Sequence, residues 1–284
     1  MSLAQRHDLT IINADSAQVY AYLPILSAQP SAAELATAPH RLFGYLDGRE
    51  ACSAARWAKD ALAEIEQAWS DNRIPVLVGG TGLYLRTLLD GISPIPEIDP
   101  DIRRAVRTLE TAEARRSLET EDPISAASLA PNDDNRIKRA LEVIRATGKS
   151  IIAWREIREG GIGDTIDLRP LLLLPPRDWL YDRCNQRFEN MIEAGAIDEV
   201  TALRAANLPA DAPVLRAIGV PELSALQDGT LNRAEAIELG QIATRQYAKR
   251  QYTWFRNQSP PSWPRYEAAD NDAEFTKIER LLQF

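Results

Sequence analysis

Residues 9–18 read LTIINADSAQ, an apolar run that passes directly into a group of small polar residues. Such a run of Leu and Ile, bounded by polar residues, is typical of a buried strand in a parallel sheet. In open α/β sheets, the ligand crevice lies beyond the carboxyl ends of the strands. The segment therefore predicts that Asp15, Ser16 and Gln18 project into a site. The alternative is that Asp15 only caps the next helix, because Asp is a preferred N-cap residue.

The composition is that of a soluble globular protein. The chain has 284 residues, of which 45% are hydrophobic and 26% charged, enough for one large domain or for a core with an insertion. No segment approaches the roughly 18 apolar residues of a membrane span, and the first residues, MSLAQRHD, lack the apolar core of a signal peptide. We therefore expect no membrane contact and a cytoplasmic location.

Charge and cysteine content narrow the function classes further. The net charge of −8 argues against a nonspecific nucleic-acid binder with a pI above about 9, but it leaves room for a local basic groove. The two cysteines, Cys52 and Cys184, are far apart and have no metal-ligand spacing. A reduced compartment and no protein-held metal are therefore expected.

Several further elements are predicted from local patterns. Ser31 and Glu34 form a capping box at the start of a helix, and residues 53–70 carry apolar side chains at helical spacing. Residues 1–8 resemble the tail of a helix. Two more apolar runs predict buried strands, over residues 74–78 and 171–174.

The second predicted strand runs into a glycine turn, Gly79-Gly80-Thr81-Gly82, which opens a helix. In this arrangement, backbone N–H groups can approach an anion at the helix N-terminus, and Thr81 adds a hydroxyl. Ordinary tight turns use the same residues, so both interpretations stay open.

Two basic groups lie on predicted helices. Arg136 and Arg139 share one side of a helix, where the alternative is an ordinary solvated face. Arg183 and Arg187 are four residues apart and repel each other unless an anion lies between them. That anion is either a neighbouring carboxylate, Asp182 or Glu189, or a phosphate, which Arg binds in bidentate fashion.

A third basic group lies in residues 244–256, TRQYAKRQYTWFR. A helix there places Arg245, Lys249, Tyr252 and Arg256 on one stripe. Basic side chains interleaved with an aromatic ring suit a nucleic-acid backbone with a stacking platform.

Taken together, the motifs resemble those of one family. IINADSAQVY, PHRL, PVLVGGTGLYLRTLL, PNDDNRIKRALEV, RCNQRF, RAIGVPEL and TRQYAKRQYTWFR stand in the order found in tRNA dimethylallyltransferases, and they cover nearly the whole chain. The resemblance implies transfer of a dimethylallyl group from dimethylallyl diphosphate to the exocyclic amine of the adenosine 3′-adjacent to the anticodon, in tRNAs reading codons that start with U. It also implies an α/β fold, a P-loop-kinase-like parallel sheet flanked by helices, with an all-helical insertion that grips the anticodon stem-loop.

Carried over by motif, the resemblance implies a general base at Asp15, further catalytic roles for Thr81 and Arg187, and diphosphate binding by Arg183 and Arg187. The amine is a poor nucleophile that must lose a proton as the new bond forms, so a base is required. The residues implied to contact tRNA are Asp15, Ser16, Ala17, Gln18, Thr81, Arg103, Asn135, Arg136, Ile137, Lys138, Arg139, Arg216, Gly219, Arg245, Lys249 and Arg250.

The expected organisation is a discontinuous core, residues 1–97 and 166–284, and a tRNA-binding insertion, residues 98–165. Expected partners are tRNA and dimethylallyl diphosphate, with Mg²⁺ as cofactor and a monomeric protein. Asn135 stands where the family usually has Gln.

The printed sequence contains no G-x-x-x-x-G-K-[ST] motif, although the family has such a loop just before the IINADS strand. We therefore expect a sheet without its first strand and P-loop, in which residues 9–12 have an unpaired neighbour and a hole beside them. Two alternatives follow: the true protein starts earlier, or this chain is truncated and does not catalyse transfer.

Two rival functions remain at this point. One is a noncatalytic tRNA-binding remnant of the family, which keeps the basic stripe and lacks the phosphate site. The other is a small-molecule kinase-like enzyme, in which residues 244–256 would have no purpose.

Overall fold

The structure is a computed structural model that describes residues 1–269 and 275–282. It contains two compact units, Met1–Arg86 with Asp167–Phe284 and Thr87–Ile166. The observed boundaries lie between residues 86 and 87 and between residues 166 and 167. The sequence predicted them between residues 97 and 98 and between residues 165 and 166. The assignment of residues 98–165 as a tRNA-binding insertion stays a prediction.

A three-stranded parallel sheet forms the centre of the first unit. β1 (Leu9–Asn13) lies between β2 (His40–Arg41) and β3 (Ile74–Val78), and it pairs with both in parallel. Every residue of β1 is buried. The predicted buried strand is therefore confirmed, whereas the predicted hole beside residues 9–12 is wrong. In the described part of the chain, β2 and β3 are the two strands of this sheet with a partner on one side only.

The other two predicted strands are less buried than expected. Ile74 and Val78, at the ends of β3, are 46% and 52% exposed, because this strand forms the edge of the sheet. β4 (Leu172–Leu173) pairs in parallel with β5 (Arg265–Tyr266) in a separate two-stranded sheet. Leu172 is buried but Leu173 is 64% exposed, because successive side chains of a strand point to opposite faces.

The predicted helix starts of the first unit are confirmed. Ser31 and Glu34 form the capping box of α1 (Ala32–Thr37), and the Ser53 hydroxyl caps α2 (Ala54–Ser70). Residues 1–8 contain only a short 3₁₀ turn, Leu3–Gln5, so the predicted helix tail is wrong there. The helix that follows β3 is α3 (Gly82–Asp90). Trp57 on α2 stacks on Tyr84 of α3 with ring centres 4.7 Å apart.

The carboxyl-terminal part of the first unit is mainly helical. Its helices are α9 (Arg177–Glu193), α10 (Ala196–Ala205), α11 (Val220–Gln227), α12 (Arg233–Gln258) and α13 (Phe275–Leu281). The predicted short terminal helix is thus present as α13, although residues 270–274 and 283–284 lie outside the described residues.

Five helices make up the body of the second unit, as the helical pattern over residues 101–159 predicted. They are α4 (Pro100–Arg107), α5 (Thr111–Glu121), α6 (Pro123–Ser128), α7 (Asp134–Thr147) and α8 (Ile151–Arg155). Their apolar faces share one core that includes Val106, Leu118 and Leu141. None of the helices in the described ranges of the chain is long and apolar enough to span a lipid bilayer.

Candidate active site

The turn that carries Asp15 is held by Asn13, the last residue of β1. The Asn13 side-chain oxygen accepts the Asp15 N–H at 2.8 Å, and its amide donates to the Asp15 carbonyl at 3.0 Å. The Asp15 carboxylate accepts the Ala17 N–H at 2.8 Å. No helix begins at this turn, so the helix-cap interpretation of Asp15 is wrong. Its side chain closes a local turn at the carboxyl end of a buried strand.

The surroundings of Asp15 tune its acidity. Burial raises the pKa of this carboxyl above its ordinary value of 3.8, while the Ala17 N–H and the positive charge of Arg187 act in the opposite direction. Burial is the largest of these effects. A carboxylate with a raised pKa holds an abstracted proton more tightly, which suits a general base.

Thr81 joins the glycine turn to the Asp15 turn. Its hydroxyl accepts the Ser16 N–H at 2.9 Å and donates to the Ser16 hydroxyl at 3.1 Å. The Thr81 N–H donates to the Ala14 carbonyl at 3.1 Å. That N–H is therefore used within the fold, and Thr81 and Ser16 form one hydroxyl pair beside Asp15. The interpretation of this turn as an anion site stays a prediction.

The glycines of this turn permit close packing. A Cβ at Gly79 would lie 2.2 Å from the Ala14 carbonyl carbon, and one at Gly80 would lie 2.0 Å from the Gln251 amide nitrogen. A Cβ at Gly82 would lie 2.3 Å from the Trp254 ring. Real Cβ atoms do not approach this closely, so glycine is required at Gly79 against the Ala14 backbone and at Gly82 against the Trp254 ring of α12, whereas the flexible end of Gln251 can move away from Gly80.

Tyr247 and Gln251 on α12 also lie at this turn, whereas the sequence analysis placed them only within the basic segment 244–256. Burial raises the pKa of the Tyr247 phenol, and the negative charge of Asp15 raises it further. The polar side chains of Thr81, Ser16 and Gln251 act to lower the pKa of the Tyr247 phenol. The residues meet only after folding, so no local pattern could have found this contact.

Gln18 holds the loop that follows the site. Its amide donates to the carbonyls of Ser27 and Ala28, both at 2.9 Å. The predicted substrate contacts of Gln18 and Ala17 remain predictions, and the observed role of Gln18 is to fix the loop.

Arg183 and Arg187 lie one turn apart on α9, and both are exposed. The guanidinium of Arg183 lies 5.6 Å from the centre of the Trp179 ring, and the charge of Arg187 reaches Asp15. Within the described residues, neither arginine forms an ion pair with a carboxylate. The interpretation that Asp182 or Glu189 neutralises the pair is therefore wrong, and phosphate binding by this pair stays a prediction.

The basic residues of α12 differ in exposure. Arg245 is half-buried and donates to the side-chain oxygen of Asn185 on α9. Lys249 and Arg250 are exposed, and the Arg250 guanidinium lies 5.6 Å from the centre of the Tyr247 ring. Exposed cations beside the hydroxyl cluster suit a phosphate backbone.

The segment before α11 is fixed by its own contacts. Arg216 donates to the Asp211 carbonyl at 3.1 Å, and the Gly219 N–H donates to the Glu222 carboxylate at 3.0 Å. Gly219 has φ +93°, and a Cβ there would lie 2.7 Å from the Leu26 side chain. The glycine is thus required by backbone conformation and packing, whatever its predicted part in tRNA binding.

In the second unit, the predicted contact residues on α7 are mostly occupied by ion pairs. Each basic side chain there has a carboxylate within 3.3 Å: Arg136–Asp133, Lys138–Asp134 and Arg139–Glu142. The Ile137 side chain is fully buried in the core of this unit, and Asn135 is exposed. The Nε atom of Arg103 is buried without a hydrogen-bond partner among the described residues. Both interpretations of this face, solvated surface and nucleic-acid contact, remain open.

Comparison with known proteins identifies the family. The family model described as IPP transferase matches residues 18–258. The chain is 58% identical over 257 residues to the tRNA dimethylallyltransferase of Sphingopyxis alaskensis, covering 90% of this chain and 84% of the relative. It is 55% identical over 276 residues to that of Novosphingobium aromaticivorans, covering 97% and 98%.

The chain belongs to the IPP transferase family. The resemblance inferred from the motifs is thereby confirmed, and the matched region includes Thr81, Arg187 and all of α12.

Solved structures of IPP transferases share the fold. A full-length tRNA isopentenylpyrophosphate transferase from Bacillus halodurans superposes with a TM-score of 0.69 at 32% identity, covering 100% of this chain and 89% of that one. A eukaryotic dimethylallyltransferase described as acting on tRNA superposes with a TM-score of 0.81 at 25% identity, covering 98% and 72%. The predicted α/β fold of this family is therefore confirmed.

Proposed function

We propose that this chain is a tRNA dimethylallyltransferase, which transfers a dimethylallyl group from dimethylallyl diphosphate to the exocyclic amine of the adenosine 3′-adjacent to the anticodon. The observation that carries the proposal is the Asp15 carboxyl, fixed at the end of β1 with a raised pKa and with Arg187 near it. Membership of the IPP transferase family supports the same reaction.

The reaction moves one bond and one proton. The adenine amine attacks the C1 carbon of the dimethylallyl group, a carbon–nitrogen bond forms, and the carbon–oxygen bond to the diphosphate breaks. The amine proton passes to Asp15, and the bonding electron pair leaves with the diphosphate. Asp15 must be ionised to accept this proton, and its partly buried turn keeps the carboxylate oriented.

Negative charge grows on the leaving diphosphate as the bond breaks. The exposed guanidinium groups of Arg187 and Arg183 have no carboxylate partner among the described residues, so they are suited to neutralise it. The Ser16–Thr81 hydroxyl pair lies beside Asp15 and supplies polar contacts to the adenine.

Recognition of tRNA is assigned to cationic surfaces. Exposed Lys249 and Arg250 suit contacts with the phosphate backbone, which position the substrate without reading its bases. The adenine is unstacked from the anticodon loop and read in the site. We assign further contacts with the anticodon stem-loop to residues of α7 in the second unit, and we propose a cytoplasmic monomer, in keeping with free Cys52 and Cys184.

Mg²⁺ is part of the proposal only as a counter-ion of the diphosphate. Within the described residues there is no group of three or more His, Cys, Asp or Glu side chains that could hold a metal ion. We propose that Mg²⁺ is held mainly by substrate phosphate oxygens, a common mode for this ion.

The proposal is tested by a transfer assay on the chain. The protein is incubated with radiolabelled dimethylallyl diphosphate, Mg²⁺ and an unmodified tRNA with adenosine 3′-adjacent to its anticodon. The control is the same tRNA with guanosine at that position. We expect label in the first tRNA only, on a nucleoside that digestion and mass spectrometry identify as dimethylallyl adenosine. Label in both tRNAs, or at another nucleoside, would contradict the proposed target.

A further inference from the structure

The loop that follows the Asp15 turn, residues 16–29, is held from a distant part of the chain. Glu199 on α10 directs both of its carboxylate oxygens at this loop, where one accepts the Ile25 N–H at 2.7 Å and the other accepts the Leu26 N–H at 2.9 Å. Glu199 is half-buried and forms no ion pair with any described residue. Its interactions with the loop are therefore those of a carboxylate with backbone N–H groups, which are stronger than hydrogen bonds between neutral partners.

The two N–H groups lie at the start of a compact turn, residues 23–29. In this turn the Ser27 N–H donates back to the Leu23 carbonyl at 3.0 Å. The first N–H groups of such a turn have no carbonyl partner within it, as at the start of a helix. An unpaired N–H group away from water is costly, so the Glu199 carboxylate stabilises the turn in the way that an N-cap stabilises a helix.

Gln18 holds the opposite end of the 23–29 turn. Its side-chain amide donates to the carbonyls of Ser27 and Ala28, both at 2.9 Å, and its backbone N–H donates to the Asp15 carbonyl at 3.1 Å. Ala28 has φ +51°, a conformation that residues other than glycine rarely adopt, so the turn needs these bonds to keep its shape. A continuous chain of hydrogen bonds thus leads from the α10 carboxylate through this turn and Gln18 to Asp15.

The 23–29 turn also packs near α9. A Cβ at Gly219 would lie 2.7 Å from the Leu26 side chain and 3.4 Å from the Phe188 ring, so both side chains lie against this glycine. Phe188 directly follows Arg187, the proposed diphosphate ligand, on α9. The turn therefore adjoins the surroundings of both groups assigned to the reaction, the base and the diphosphate ligand.

We propose that Glu199 is a positioning residue of the transfer reaction, which fixes the 23–29 turn and, through Gln18, the backbone that carries Asp15. The inference rests on the proposed function. In this role Glu199 touches neither the substrates nor the reacting atoms, and no proton leaves it during the reaction. Its carboxylate matters because two successive N–H groups require two acceptor oxygens, and a glutamine side chain supplies only one.

The test compares Glu199→Gln with wild type by two readouts. The first is amide hydrogen exchange at Ile25 and Leu26, which reports opening of the turn and requires no turnover. The second is the steady-state kcat and KM for unmodified tRNA, measured well below the unfolding transition of each variant, so that a loss of stability alone does not change them. The matched control is Glu235→Gln, which removes the charge from the acceptor of the Asn232 N–H at the exposed start of α12.

In Glu199→Gln, the new NH₂ group faces one of the two N–H groups and leaves it without an acceptor. We expect exchange to rise at one or both of these amides and kcat to fall, each by about tenfold, the loss typical of a hydrogen bond to a charged group. KM for tRNA should stay within about twofold of wild type, because binding of the substrate is not what the carboxylate supports. The Glu235→Gln control should change neither readout. Combined with Gln18→Met, Glu199→Gln should lower kcat little further, because both variants release the same turn.

Wild-type exchange at both amides in Glu199→Gln would overturn the inference, and so would a wild-type kcat. Independent losses of kcat that multiply in the double variant would overturn the claim that Glu199 acts through Gln18. If Glu199→Gln does not fold, the same readouts are taken on Glu199→Asp, which keeps both oxygens but withdraws them by one methylene group, and wild-type values there would overturn the inference in the same way.

If the wild-type chain transfers no dimethylallyl group, the proposed function fails and the catalytic part of this inference fails with it. The exchange readout would still decide whether Glu199 fixes the turn.

Discussion

At the scale of single residues, Asp15 combines two demands that oppose each other. Its carboxylate must stay ionised to accept a proton, yet burial favours the neutral form. The Ala17 N–H and the charge of Arg187 offset part of that cost. The proposed base therefore holds an abstracted proton more tightly than a solvated aspartate does.

The pH dependence of transfer follows from this balance. Only ionised Asp15 accepts the amine proton, so kcat/KM should rise with pH through the Asp15 pKa and level off above it. Because burial raises that pKa, the acid limb should lie above the ordinary value of 3.8. Arg187→Gln removes a charge that lowers the pKa, so it should move the limb to higher pH as well as slow the reaction.

Arg187→Lys is the matched control for the shift of the acid limb, since lysine keeps the positive charge but cannot form the bidentate hydrogen bonds of a guanidinium. The transfer rate of this variant should fall, while the acid limb of its pH profile should stay near that of wild type. The pH profile of kcat/KM is measured from initial rates between about pH 5 and pH 9. If the acid limb of the Arg187→Gln profile lies at the same pH as that of wild type, the proposed coupling between Arg187 and Asp15 is contradicted.

At the scale of elements, the glycine turn between β3 and α3 decides how closely α12 approaches the sheet. Two of its glycines meet different kinds of neighbour. A Cβ at Gly79 meets the backbone of Ala14, which pairs with Val78 and cannot move without opening the sheet. A Cβ at Gly80 meets only the end of the Gln251 side chain, which can rotate away.

Alanine at these two positions should therefore have unequal effects. Gly79→Ala should lower the free energy of unfolding by about 1–3 kcal/mol, the usual range for overpacking, and Gly80→Ala should lower it by about 1 kcal/mol or less. Denaturant unfolding measures both. Adding Gln251→Ala should restore the stability of Gly80→Ala and leave Gly79→Ala unchanged. Equal losses in the two single variants would contradict this account of the turn.

Local patterns predicted the elements whose signals are local. The apolar run of β1, the capping box of α1 and the spacing of Trp57, Ala61 and Ile65 on α2 each depend on neighbouring residues. The exposure of β3 and the pairing of β4 with β5 depend on which strands lie alongside, and an apolar run does not reveal that. The same reason hid the influence of Ser16 and Thr81 on the pKa of Tyr247, since these residues are far away in sequence.

At the scale of the whole molecule, the net charge of the protein has the same sign as that of the proposed tRNA partner. The chain carries a net charge of −8, and tRNA is a polyanion, so binding requires cations gathered on one surface. Lys249 and Arg250 are exposed on α12 and form no ion pair with any described residue, whereas the cations of α7 are paired within their own unit. We therefore expect α12 to contribute more to affinity than α7.

The double variant Lys249→Ala/Arg250→Ala should weaken tRNA binding and reduce its salt dependence. Each lost phosphate contact should lower the slope of log K against log salt by about 1. The matched control is Lys59→Ala/Arg233→Ala, which removes the same charge from exposed positions on α2 and at the start of α12. An equal loss in the control would mean that only net charge matters, which would contradict a specific basic surface.

The motifs and the fold indicate the same reaction. The sequence alone identified the family because its motifs occur in the fixed order of that family. The sequence did not reveal which residues hold Asp15, the proposed base, in place. The buried amide of Asn13 fixes the Asp15 backbone, and this role is visible only in the folded turn.

The most direct test of the central claim is a single-turnover comparison of wild type with Asp15→Asn. Asparagine keeps an oxygen for the Ala17 N–H but cannot accept the amine proton. The account predicts that the variant binds unmodified tRNA with wild-type affinity and that its transfer rate falls by at least about 100-fold, the usual contribution of a general base. Transfer by Asp15→Asn at close to the wild-type rate would contradict the assignment of Asp15 as the base.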